Sequence, residues 1–177
     1  PEPVMKREAF IVPSDVCYVA KGSDVGALGA YAGEWQVLAS ALSFDYLWNE
    51  VRVKGGAYGG GFRRTPEGFG RFYSFRDPAV DPTLERFDAA GSWLASFDPS
   101  EEEMEGYIVS TVASHDAPAK PRQVARRQDA QFFCEKPAGY RERLRAEKLA
   151  TTPGKLRACS TALDEVAQRG SICVFGG

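Results

Sequence analysis

Near the start of the chain, two short stretches at 8–12 and 16–20 are rich in β-branched and aromatic residues, and each is long enough for one strand. Pro13-Ser14-Asp15 between them reads as a turn, so the pattern predicts an opening hairpin. From Ala30 the period changes. Tyr31, Trp35, Leu38 and Leu42 recur at helical spacing, and Asp45 stands where it would N-cap a second helix through Leu47, Trp48 and Val51. Lys54-Gly55-Gly56 is a helix stop. Two further strands, 57–64 and 71–76, flank the turn Thr65-Pro66-Glu67-Gly68 and predict a second hairpin.

Helical patterning dominates the rest. Asp81-Pro82 reads as an N-cap followed by proline in the first turn, with Leu84, Phe87, Leu94 and Phe97 on one face before Asp98-Pro99 ends the helix. Ser100-Glu101-Glu102-Glu103 has capping-box spacing and opens a helix through Met104, Ile108 and Val112. Helices at 122–134, 138–149 and 155–168 and a last strand at 171–175 complete the pattern. Strands gathered early and helices packed after them imply an α+β, two-layer fold, an antiparallel sheet covered by helices on one face. Trp35, Leu38, Trp48, Leu84, Phe87 and Leu94 are the expected core.

The length, 177 residues with 44% hydrophobic content, fits a single domain over 1–177. Lys plus Arg number 22 against 24 acidic residues, so no global field gathers nucleic acid or an anionic membrane. Cys17, Cys134, Cys159 and Cys173 lie far apart with no CxxC pair, which reads as buried thiols and favours a reducing compartment, such as the cytoplasm or an organelle matrix. No apolar run approaches the roughly 20 residues of a bilayer span, so a soluble chain is expected. Pro1-Glu2-Pro3, with no initiating Met, reads as a linker from something longer.

The single histidine, His115, rules out a multi-histidine zinc site and reads as a solvated residue near a helix C-terminus. The basic segment Lys120, Arg122, Arg126 and Arg127 reads as a solvated helix face. The glycine-rich run 55–61 follows a helix and opens a strand, the reverse of a phosphate loop, and no Lys-Ser or Lys-Thr comes after it. Gly59, Gly60 and Gly61 inside a strand weaken it unless another backbone must come close, which suits an extended peptide. Arg52 ends the preceding helix and Tyr58 begins the strand, so the turn between them can bring both polar tips to one point. Together they would form a fork of donors for a carbonyl oxygen or a developing oxyanion, and a plain helix-end Arg with a half-buried Tyr is the structural alternative.

Tyr46-Leu47-Trp48-Asn49-Glu50-Val51-Arg52-Val53-Lys54-Gly55-Gly56-Ala57-Tyr58-Gly59 closely resembles a signature in the C-terminal half of the presequence-protease branch of the pitrilysin/insulinase metallopeptidases. Arg71-Phe72-Tyr73-Ser74-Phe75-Arg76-Asp77-Pro78 and Arg143-Leu144-Arg145-Ala146-Glu147-Lys148-Leu149-Ala150-Thr151-Thr152-Pro153 resemble the family's following segments in the same order. The resemblance implies a pitrilysin- and mitochondrial processing peptidase-like domain, one of four in a clamshell whose first domain carries an inverted zinc motif, His-x-x-Glu-His. That motif is absent here, which implies the silent C-terminal domain of a zinc peptidase that degrades peptides, inactive alone and with no cofactor of its own. Zinc is then expected in the N-terminal domain, and the implied partners are the N-terminal catalytic half of the same polypeptide and peptide substrates. The resemblance implies Arg52 and Tyr58 as substrate-binding residues that stabilise the attacked carbonyl, beside the peptide-accepting Gly59 and Gly60 expected from the strand itself. A degenerate structural or interaction module of the same superfamily is the alternative.

Overall fold

A computed structural model describes residues 4–177; the linker reading of residues 1–3 lies outside them. Five strands, β1 (Arg7–Ile11), β2 (Cys17–Asp24), β3 (Gly59–Arg64), β4 (Phe69–Asp77) and β5 (Ser171–Gly176), form one sheet in the order β1-β5-β2-β4-β3. The second hairpin forms as expected, with Gly68 at φ 100 in its turn. The first does not. The C-terminal strand β5 inserts between β1 and β2, parallel to β1 and antiparallel to β2, so the sheet is mixed and not wholly antiparallel. Local turn residues could not reveal this, because the competing partner lies at the far end of the chain. Val12 N–H to the Gly176 carbonyl and Ile172 N–H to the Lys6 carbonyl, at 2.9 and 2.8 Å, extend the β1–β5 pairing.

Among the described residues there are seven α-helices: α1 (Glu34–Ala41), α2 (Val80–Ala95), α3 (Glu101–Asp116), α4 (Pro121–Phe133), α5 (Tyr140–Leu149), α6 (Pro153–Arg157) and α7 (Ser160–Arg169). Ser100 and Glu103 close the expected capping box on α3. Asp81 lies inside the first turn of α2 rather than capping it; the buried Asp77 accepts the Ala79 N–H at 3.0 Å and the Ser74 hydroxyl at 2.6 Å. The helix expected at 155–168 divides at Ala158-Cys159 into α6 and α7, which lets both Leu156 and Leu163 bury completely.

The largest departure follows α1. No second helix starts at Asp45. The helix continues through Leu42–Tyr46 and Trp48–Lys54 in wider π-type turns, and Asp45 accepts the Tyr107 hydroxyl at 2.6 Å instead. Hydrogen bonds from i to i+5 widen each turn, so the buried positions step from Val37 and Ala41 to Tyr46 and Val51. That shift turns Trp48 outward. It is 44% exposed, not part of the core.

The helices cover one face of the sheet. Phe72 of β4 stacks on Phe87 of α2 at 5.2 Å between ring centres and meets Phe62 of β3 at 4.8 Å. Leu38, Leu94, Leu163 and Val166 close around these rings, while Leu84 is only partly buried. Lys21, on the covered face of β2, pairs with Asp88 of α2 at 2.5 Å. On the other face Phe10, Tyr18, Phe69 and Phe175 remain exposed. Cys17 and Cys159 are buried, but Cys134 and Cys173 are exposed, against the expectation of four buried thiols; all four are free. Among the described residues no helix is long and apolar enough to cross a membrane.

Candidate functional site

The π-type turns end at Lys54, and Gly56 at φ +80 reverses the chain, a conformation that costs glycine nothing and other residues more. The reversal is tied down by Gly56 N–H to the Arg52 carbonyl at 2.9 Å and Ala57 N–H to the Val51 carbonyl at 3.2 Å. Tyr58 then donates its backbone N–H to the Arg76 carbonyl at 3.3 Å and leads into β3. The turn therefore brings the end of a helix and the start of an edge strand together.

Arg52 and Tyr58 do meet there. The Arg52 guanidinium carbon is 4.1 Å from the centre of the Trp48 ring and 5.5 Å from that of Tyr58. Such contacts are cation–π attractions, favoured by the quadrupole of the ring. Lys54 engages the neighbouring carboxylate of Glu50 at 2.6 Å, so aromatic faces rather than an acid hold Arg52. Tyr58 is 59% exposed, with Phe75 at 5.5 Å and the Arg76 guanidinium carbon at 5.7 Å from its ring. Trp48, Phe75 and Arg76 complete this cluster, beyond the two side chains expected there. The i, i+4 spacing of Trp48 and Arg52 is the sequence signal for the first, and the same helical spacing places Trp48 among the expected core residues. Arg76, at φ 50 without being glycine, holds a backbone conformation that nothing in its sequence announced.

The glycines act differently from the expectation. A Cβ on Gly59 would lie 2.7 Å from the Phe75 ring, and one on Gly61 2.5 Å from the Tyr73 hydroxyl. Aromatic side chains of β4 thus fill the space above them, and that face of β3 is not stripped. On the other face, a Cβ on Gly60 would lie 3.4 Å from Val51. The open side of β3 is its outer edge, since the strand ends the sheet. An edge strand presents backbone groups to which an extended chain can add.

His115 is half-buried rather than solvated. Its Nδ1 lies 2.8 Å from Lys148 Nζ, and burial, followed by the charges of Lys148 and Arg141, pushes its pKa down. The chain's lone imidazole thus faces the Lys148 side chain. Among the described residues no group of three or more His, Cys, Asp or Glu side chains is placed to hold a metal ion. The zinc that the resemblance implies is expected in the N-terminal domain, outside this chain. Lys120, Arg122, Arg126 and Arg127 are exposed along and just before α4.

Residues 7–174 match the family described as the PreP C-terminal domain. Presequence protease 1, chloroplastic/mitochondrial, of Arabidopsis thaliana is 29% identical over 168 residues, which is 94% of this chain and 16% of that protein. Protein HypA of Clostridium perfringens is 44% identical over 116 residues, 64% of this chain and 12% of that one. The chain therefore spans less than a fifth of the length of these relatives. Among solved structures, a peptidase M16 inactive domain from Pseudomonas fluorescens aligns over 99% of this chain and 44% of its own, with a TM-score of 0.74 at 17% identity. Pitrilysin aligns over 97% of this chain and 19% of its own, with a TM-score of 0.67 at 14% identity. Both share the fold.

Proposed function

Because this chain belongs to the PreP C-terminal domain family, we propose that it is the non-catalytic C-terminal domain of a longer zinc peptidase that degrades peptides. In this reading it closes the substrate chamber opposite the N-terminal catalytic half, and that half holds the zinc. The observation that carries the reading is the Arg52 guanidinium, held between the rings of Trp48 and Tyr58 at the head of the free edge strand β3.

A peptide lying along β3 would exchange backbone hydrogen bonds with the strand edge near Gly59 and Gly60, as an added strand does. At the head of that strand the Arg52 guanidinium offers fixed N–H donors, and the Tyr58 hydroxyl offers another. Donors held in place before reaction stabilise charge as it develops on a carbonyl oxygen, because they need not reorganise when it appears. Aromatic faces suit that task better than a carboxylate would, since an acid partner would occupy the guanidinium fork. Four free thiols and no membrane-crossing helix among the described residues support a reducing, soluble compartment such as the cytoplasm or an organelle matrix.

The test is kinetic and uses the full-length polypeptide. Removing one preorganised donor typically lowers kcat by about 10²–10³, or about 3–4 kcal/mol, so Arg52→Ala and Tyr58→Phe should each lose turnover while melting like the parent. Loss of ground-state peptide binding alone would raise KM and spare kcat. Unchanged kcat and KM in both variants would leave the chain as a degenerate structural module of the superfamily.

A further inference from the structure

A cavity of about 1070 Å³ lies between α1, α3, α4, α5, the end of β3 and the turn that follows it. None of Trp48, Arg52 or Tyr58 lines it. Its size is that of a small-molecule site. Its apolar lining includes Ala39, the exposed Phe44 and Ala130, while the buried Trp35 ring is covered by the Arg64 guanidinium at 4.4 Å; Lys148, Arg141 and His115 of α5 and α3 make part of the lining cationic.

Lys148 is the unusual member. It is 1% exposed, and among the described residues its ammonium has one hydrogen-bond partner, His115 Nδ1 at 2.8 Å. An ammonium carries three donors, and burying one without a counter-ion is costly. Arg141, which donates to the His115 carbonyl, adds a second positive charge. The nearby carboxylate of Asp116 is already engaged, by Arg145 at 2.8 Å. Glu147 is also taken, by the Gly33 N–H at 2.8 Å and by Arg143 at 2.9 Å. Burial, followed by the charge of Arg141, accordingly lowers the Lys148 ammonium to about 8. The Tyr140 hydroxyl, on another residue that lines the cavity, is buried and has no partner among the described residues.

We propose that this cavity binds an amphipathic organic anion, whose carboxylate or phosphate group pairs with Lys148 and Arg141 while its apolar body lies against Ala39 and Phe44. The anion would supply the counter-charge that Lys148 lacks and an acceptor for the Tyr140 hydroxyl. Apolar contact alone would not select for charge, so the head group and the body make separable contributions.

Titration calorimetry of the chain with octanoate, octyl phosphate and the neutral octanol tests this. Both anions should bind at least about tenfold more tightly than octanol, since a hydrogen bond to a charged group contributes about 1.5–3 kcal/mol; whichever anion binds tighter identifies the head group. Lys148→Met keeps the length of the side chain and removes a buried charge, so it should fold and lose that preference. A second measurement needs no variant. The chain has one histidine, so its imidazole proton resonances are unique, and octanoate should shift them whereas octanol should not. The proposal is overturned if octanol binds as tightly as the anions, if none of the three binds, if Lys148→Met retains the preference, or if saturating octanoate leaves the His115 resonances in place.

Discussion

The Arg52 guanidinium carbon sits 4.1 Å above the Trp48 ring, across one π-widened turn of the same helix. The indole thereby fixes the direction of the one cation that the proposed chamber role needs most. A cation–π contact at an exposed site contributes about 0.5–1 kcal/mol, or a factor of about 2–5 in an equilibrium. Trp48→Leu in the full-length polypeptide should therefore lower kcat/KM for peptide cleavage by a few-fold, with an unchanged melting temperature because the ring is already 44% exposed. A large drop in melting temperature would instead make Trp48 part of the packing.

Phe87 joins α2 to the sheet. It is fully buried and stacks on Phe72 at an interplanar angle of 17°. Phe87→Ala removes that stack and leaves a cavity, for which a loss of about 3–5 kcal/mol is expected. Chemical denaturation measures it, and a loss below about 1 kcal/mol would contradict the packing described.

Gly33 lets α1 and α5 touch. A Cβ there would lie 2.7 Å from the Lys148 backbone nitrogen and closer still to the Leu144 carbonyl oxygen, so backbone rather than a movable side chain stands in the way. Gly33→Ala should push α5 aside and cost about 1–3 kcal/mol, as overpacking does. Equal stability of variant and parent in urea would show that the two helices separate freely.

Lys148 should make stability depend on pH in an unusual direction. Its ammonium is lowered from the ordinary 10.5 to about 8 in the folded chain. Between these values the unfolded chain binds more protons than the folded one, so stability rises with pH across about 8 to 10.5 and is constant, for this group, outside that window. His115, also lowered, acts with the same sign in its own lower window. Lys148→Met should lack the rise between about 8 and 10.5. Denaturation curves of parent and variant across that range decide it, and parallel curves would refute it.

What the sequence determined by itself is local or carried by a long motif. The capping box at Ser100, the turn at Thr65 to Gly68, the helix stop at Gly55-Gly56 and the α+β class all follow from residues a few positions apart. The signature from Tyr46 to Gly59 placed the chain in its family and paired Arg52 with Tyr58. What only the tertiary structure decided depends on distant partners. β5 displaces the expected hairpin because strand alternation says which face is buried, not which strand is next to it. The π-type turns move Trp48 out of the core because the helix follows the packing of Tyr46 and Val51 rather than a fixed period. Lys148 and His115, far apart in the chain, come together only when α3 and α5 pack, so the burial that strips one charge of its water could not be read from either segment alone.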